Sequence, residues 1–109
     1  MNRNMLSNIE HQVRGGKSVG VFASSYPEMA ELFKEVQTAM PQGLFSKAEW
    51  IGRFSTGGRI DFWNTEVANT GRGRKYDLTV VDEKVLGTPV WERDIKPSMF
   101  DTQGVCLVA

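Results

Sequence analysis

Apolar positions in this chain recur with two different periods, in blocks that take turns along its length. Residues 3–14 place Met5, Leu6, Ile9 and Val13 at helical spacing, the signature of a short amphipathic helix. Gly15-Gly16 supplies the stop. Val19-Gly20-Val21-Phe22-Ala23 is a continuous apolar run closing on Ser24-Ser25, which suits a buried parallel strand that feeds a helix. Ser25 and Glu28 have capping-box spacing and Pro27 suits the first turn. The helix predicted from there carries Met29, Leu32, Phe33, Val36 and Met40 on one face, and Pro41 ends it.

The next blocks change period. Glu49 to Phe54 and Arg59 to Trp63 are extended and partly alternating, with Thr56-Gly57-Gly58 between them, so an antiparallel hairpin is expected near residues 48–63. Residues 64–75 are polar, contain Gly71 and Gly73, and read as loop. Leu78-Thr79-Val80-Val81 is a second buried strand. Thr88-Pro89 offers a helix start with Trp91 and Ile95 on one face, and Pro97 should end or kink that helix. Val105 to Ala109 reads as a last apolar strand.

Strands alternating with helices imply βαβ units and a parallel sheet. The fold class expected is therefore α/β: a mixed sheet with parallel core strands near residues 18–23, 77–82 and 105–109, a β-hairpin and flanking helices. The 109 residues suffice for one domain, 1–109. The pattern starts in a helix and stops within a strand, so the expectation is a piece of a larger domain.

Composition narrows the function classes. With 40% hydrophobic and 24% charged residues the chain is not a disordered one. Thirteen basic residues balance thirteen acidic ones, so no global field draws the chain to DNA or to an anionic membrane. Any nucleic-acid contact must use a local patch, and nothing opposes self-association. The single cysteine, Cys106, excludes an intrachain disulfide and a zinc cluster. His11, the single histidine, has no ligand-type neighbours at metal spacing and reads as a helix-surface residue. No segment has the length of a signal peptide core or a membrane span, so a cytoplasmic location and no membrane partner are expected.

The sharpest chemical signal is Leu78-Thr79-Val80-Val81-Asp82-Glu83, a buried strand ending in two adjacent carboxylates. Ligands of open α/β sheets bind at the carboxyl ends of strands, where this pair lies. Nucleotide hydrolysis wants such a pair. One carboxylate holds magnesium through water and the other orients or deprotonates the attacking water. Asp82 fits the first role and Glu83 the second. Acidic residues at a strand end can also be merely solvated, and the motif alone does not separate the two readings.

The surroundings add to it. Gly57-Gly58-Arg59-Ile60-Asp61-Phe62 lies upstream, Arg72-Gly73-Arg74-Lys75-Tyr76-Asp77 leads directly into the strand, and Trp91, Ile95, Pro97 and Gly104 follow. In this order and spacing the chain resembles the ATPase domain of the large terminase subunits of tailed bacteriophages, from about Met5 to Ala109. The run Val19 to Tyr26 is similar to that family's second strand, with Ser24 in place of a proline. Lys84 stands where a small residue usually follows the acidic pair. The resemblance implies a partial phosphate-loop NTPase fold carrying the Walker B strand, without the nuclease domain. It implies magnesium and ATP as cofactors of the intact parent. The partners it implies are double-stranded DNA, the portal and the small terminase subunit, in the host cytoplasm.

The phosphate-binding loop itself is the difficulty. Gly16-Lys17-Ser18 has the right residues, but a helical pattern precedes it and a strand follows, the inverse of the order that aims amides at a phosphate. The alternative is that residues 3–14 end the family's phosphate-loop helix and Gly15-Gly16-Lys17 turns into the next strand. On that alternative the chain alone neither binds ATP tightly nor hydrolyses it. Arg72, Arg74 and Lys75, with Arg53 and Arg59, could form a basic edge for DNA or phosphate, or a solvated rim. Trp50, Trp63 and Trp91 could stack bases, or pack in the core or an interface, the more ordinary job of such rings. A second function class stays open, a non-enzymatic binding or assembly module that keeps an ATPase-derived fold. A homo-oligomer is expected. The absent phosphate-loop strand is expected in the middle of the sheet, so its loss should expose strand edges, with Met5, Leu6 and Ile9 or the terminal strand at the interface.

Overall fold

The computed structural model describes residues 1–66 and 75–96 and the backbone of residues 105–108. Helix α1 spans Arg3–Arg14, and the Asn2 side chain caps it by accepting the Met5 amide at 2.9 Å. Strand β1 follows at Ser18–Ala23. Helix α2, Tyr26–Ala39, starts at the predicted cap: Ser25 is extended and its side chain accepts the Glu28 amide. Strands β2 (Leu44–Ser46), β3 (Ile51–Arg53), β4 (Arg59–Asn64), β5 (Leu78–Val81) and β6 (Val105–Val108) complete the sheet among the described residues.

The strand order is β2-β3-β4-β1-β5-β6. β1 is parallel to β4 on one side and to β5 on the other, and β5 is parallel to β6. The hairpin lies where its alternation placed it, with β3 antiparallel to β4. β4 does double duty, however, because its other edge carries the parallel ladder to β1. β2 was not anticipated. It is three residues long and, among the described residues, pairs with β3 alone at the end of the sheet, too short for a periodicity to register.

Two expectations are corrected. No gap interrupts the sheet, since Val19 to Phe22 are in register with Ile60 to Trp63 on one side and with Leu78 to Val81 on the other. Any further strand would add outside β2 or β6. Nor is the apolar face of α1 available to a partner: Met5 and Ile9 are buried in the chain's own core with Val13, and Leu6 is half-buried against them.

The alternation of the strands divides the interior in two. Val19, Val21, Ile60, Phe62, Leu78 and Val80 face α1 and α2, forming the larger core with Phe33 and Val36. The opposite face holds Phe22, Tyr76 and Val81, covered by Val85 and by Ile95. Ile95 closes a π-helical turn, Trp91–Ile95, with Trp91 packed against the same cluster as predicted. Asp61, in the middle of β4, is buried on this second face. Tyr76 donates its hydroxyl proton to Asp61 at 2.6 Å and accepts the Trp63 indole N–H at 2.8 Å, while Arg59 Nε reaches Asp61 at 2.6 Å. Gly20 makes room for this network. A Cβ there would stand 2.6 Å from the Tyr76 ring, so the ring lies where a side chain would otherwise be.

Candidate functional site

The carboxyl ends of β1 and β5 bring the chemistry together. The Asp82 amide donates to the Phe22 carbonyl at 3.0 Å, extending the parallel ladder one step past β5. Asp82 is still extended, whereas Glu83 opens a 3-10 turn over Glu83–Val85. The two adjacent carboxylates therefore leave the strand in different backbone conformations. Asp82 stays in the half-buried edge of the sheet and Glu83 is exposed.

On the β1 side, Ser24 lies between the strand and the cap of α2. Its hydroxyl is hydrogen-bonded to Glu28 and lies 3.2 Å from Asp82 Oδ2. The Lys84 backbone N–H donates to Asp82 Oδ1 at 3.0 Å, and the Lys84 ammonium donates to Glu28 Oε1 at 3.0 Å. Hydrogen bonding with the Asp82 carboxyl, then with the Ser24 hydroxyl and then with Lys84, holds the Glu28 carboxyl well below its usual range, at about 2. Asp82, Glu28, Glu31 and Glu35 line one cleft of about 330 Å³, whose apolar wall is Met5 and Leu32.

The placement of Asp82 and Glu83 at the carboxyl edge beside Ser24 agrees with the sequence. The roles of Glu28 and Lys84 in the site were not read from it. Capping-box spacing marks Glu28 in the sequence, but nothing local marks its side chain as a partner of Ser24, which lies before the Ser25 cap. Instead of reaching back to the cap, the Glu28 side chain crosses to Ser24 and Lys84.

Gly16, Lys17 and Ser18 lie elsewhere. They join the end of α1 to the start of β1, at the amino edge of the parallel strands. The amides that a phosphate would need are occupied. Gly15 donates to His11 and Gln12, Gly16 to Val13, Lys17 to Gln12, and Ser18 to Asp77 Oδ2 at 3.0 Å. The hairpin turn closes over them, with the Thr56 hydroxyl bonded to the Val13 carbonyl. A Cβ at Gly58 would meet that same carbonyl oxygen at 2.3 Å. This segment is a helix stop sealed by a hairpin, not a cradle for an anion.

Arg72 and Arg74 lie outside the described residues. Lys75 is exposed at the entrance to β5, at the amino edge. Arg53 pairs with Glu49 at 2.8 Å and Arg59 with Asp61 at 2.6 Å, so both arginines are committed to carboxylates of the same hairpin. The three tryptophans pack: Trp50 meets Phe33 and Tyr26 edge-on, Trp63 stacks on Phe22, and Trp91 joins the second cluster.

No protein-family model and no curated protein matches this sequence. Solved structures do. The chain is similar to the large terminase ATPase domain of Thermus phage P74-26, with a TM-score of 0.73 and 15% identity over 94% of this chain and 50% of that one. A point mutant of the same domain superimposes with a TM-score of 0.69 at 13% identity, over 94% of this chain and 51% of that one. The chain thus spans about half the length of the domain it matches, and at that identity what the two share is a fold: the mixed sheet and flanking helices of a terminase ATPase domain.

Proposed function

We propose that this chain is part of the ATPase domain of a phage large terminase subunit, the motor that drives double-stranded DNA through a portal with help from a small terminase subunit. The observation that carries the reading is the position of Asp82-Glu83. The pair ends a central parallel strand, next to Ser24 at the end of the adjacent parallel strand, in a sheet superimposable on a terminase ATPase domain. Ligand chemistry in such sheets occurs at that edge.

The donors fit magnesium. Asp82, Glu28 and the Ser24 hydroxyl offer hard oxygen atoms. Magnesium is usually held by one or two carboxylates together with substrate phosphates, not by an all-protein cage. The acidic lining of the cleft would repel a bare triphosphate, so a nucleotide there needs a cation between. When bound, magnesium supplies charge neutralisation for the phosphates. Asp82 is the residue to hold it through water, and Ser24 and the Lys84 amide keep that carboxylate oriented. Glu83 is free of the strand and exposed, and it is the residue assigned here to take a proton from the attacking water. Gly16, Lys17 and Ser18 do not supply the phosphate grip, so the chain alone is inactive.

The test is Glu83→Gln in the longer protein. Nucleotide binding should persist while turnover falls by about 100-fold or more, as for loss of a general base. Unchanged turnover would remove Glu83 from the mechanism. For this chain alone, calorimetry should register no micromolar, magnesium-dependent ATP binding; such binding would restore Gly16-Lys17-Ser18 as a phosphate site.

A further inference from the structure

A lysine bridges the two carboxylates at the carboxyl edge of the sheet. The Lys84 backbone N–H donates to Asp82 Oδ1 and its ammonium donates to Glu28 Oε1, each at 3.0 Å. One residue thereby contacts both carboxylates, one through its main chain and the other through its charge. The carboxylates are already linked, because Ser24 Oγ is within hydrogen-bond distance of Glu28 Oε2 and of Asp82 Oδ2 and has a single proton for the two. An ammonium so placed compensates part of the negative charge of the two carboxylates.

We infer that Lys84 is a tethered cation that occupies the charge position beside Asp82 and Glu28, and that a divalent ion arriving at Asp82 must displace the Lys84 ammonium from Glu28. The inference rests on the reading of Asp82 as the magnesium carboxylate. It also accounts for a lysine directly after the acidic pair: the carboxylates keep a partly compensated charge, and α2 stays tied to the turn at Glu83. The competition is mild. The Lys84 side chain is 72% exposed and that of Glu28 30%, and an ion pair so open to solvent is weak and screened by salt. Lys84 therefore yields to a divalent ion and attenuates its affinity without blocking it.

The experiment uses the full chain at low ionic strength and Mn²⁺ as probe, since manganese suits the same oxygen ligands and its binding is read by paramagnetic resonance. Lys84→Met should tighten Mn²⁺ binding by about two- to five-fold, the range of an exposed ion pair, and added salt should shrink the difference. In a Glu28→Gln background the same substitution should change the affinity less, because the ammonium has lost its seat. Asp82→Asn should abolish the specific binding in either case. If Asp82→Asn abolishes it but Lys84→Met leaves it unchanged or weakens it, the tethered-cation inference is wrong and Asp82 keeps its role. If Asp82→Asn binds Mn²⁺ as the unaltered chain does, the assignment of Asp82 fails, and the inference with it; if neither the unaltered chain nor Lys84→Met binds it, the inference alone fails, because magnesium in the proposed site is completed by substrate phosphates.

Discussion

Gly20→Ala tests the second face of the sheet. The added methyl carbon would stand 2.6 Å and 2.7 Å from two atoms of the Tyr76 ring and 2.9 Å from Phe22. Carbon atoms prefer about 3.5–4.0 Å, so the ring must retreat by about 1 Å. It has little freedom to do so, because Tyr76 is 2% exposed and its hydroxyl is held by Asp61 at 2.6 Å and by Trp63 at 2.8 Å. Overpacking costs about 1–3 kcal/mol, and losing a hydrogen bond to a buried charged group costs about 1.5–3 kcal/mol. The expected loss is about 2.5–6 kcal/mol, a large share of the ~5–15 kcal/mol that holds a domain together. Urea unfolding followed by tryptophan fluorescence should show a lower midpoint with an unchanged slope. Tyr76→Phe, which deletes only the hydroxyl, should cost about 1.5–3 kcal/mol. The double variant should cost less than the sum by about 1 kcal/mol or more, since the displaced ring has already forfeited that bond. A loss below about 0.5 kcal/mol for Gly20→Ala, or strict additivity of the pair, would refute the picture of a glycine niche that seats Tyr76.

Three further outcomes are expected. Because the folded pKa of Glu28 is depressed from 4.5 to about 2, its contribution to stability is present above pH 4.5 and is lost as pH falls towards 2; Glu28→Gln should flatten the melting temperature across that interval, and an unchanged slope would show that Glu28 is not held as described. The Thr79 hydroxyl is buried without a hydrogen-bond partner among the described residues, so Thr79→Val should stabilise the chain by about 1 kcal/mol in the same urea assay, and a destabilised variant would mean that the hydroxyl has a partner. The sheet ends on β6 among the described residues, and with zero net charge an open edge of this kind pairs with another chain; light scattering should report concentration-dependent association, against which a stable monomer at high concentration would count.

Local pattern was enough to place α1, β1, α2, the hairpin and β5, because each is written in a period of apolar residues or in a cap that acts within a few positions. It was enough, too, to put Asp82 and Glu83 at the carboxyl edge, since a buried strand that ends in a polar turn must surface there. Pairing partners are set by contacts distant in sequence, so the unbroken order β2-β3-β4-β1-β5-β6 could be known only once β4 was seen to pair on both edges. The same holds for the site. Glu28 and Lys84 are 56 positions apart and meet because β1 and β5 are neighbours. The amides of Gly16, Lys17 and Ser18 are lost to a phosphate because the end of α1 and Asp77 take them, a matter of which hydrogen bonds the folded chain has left open.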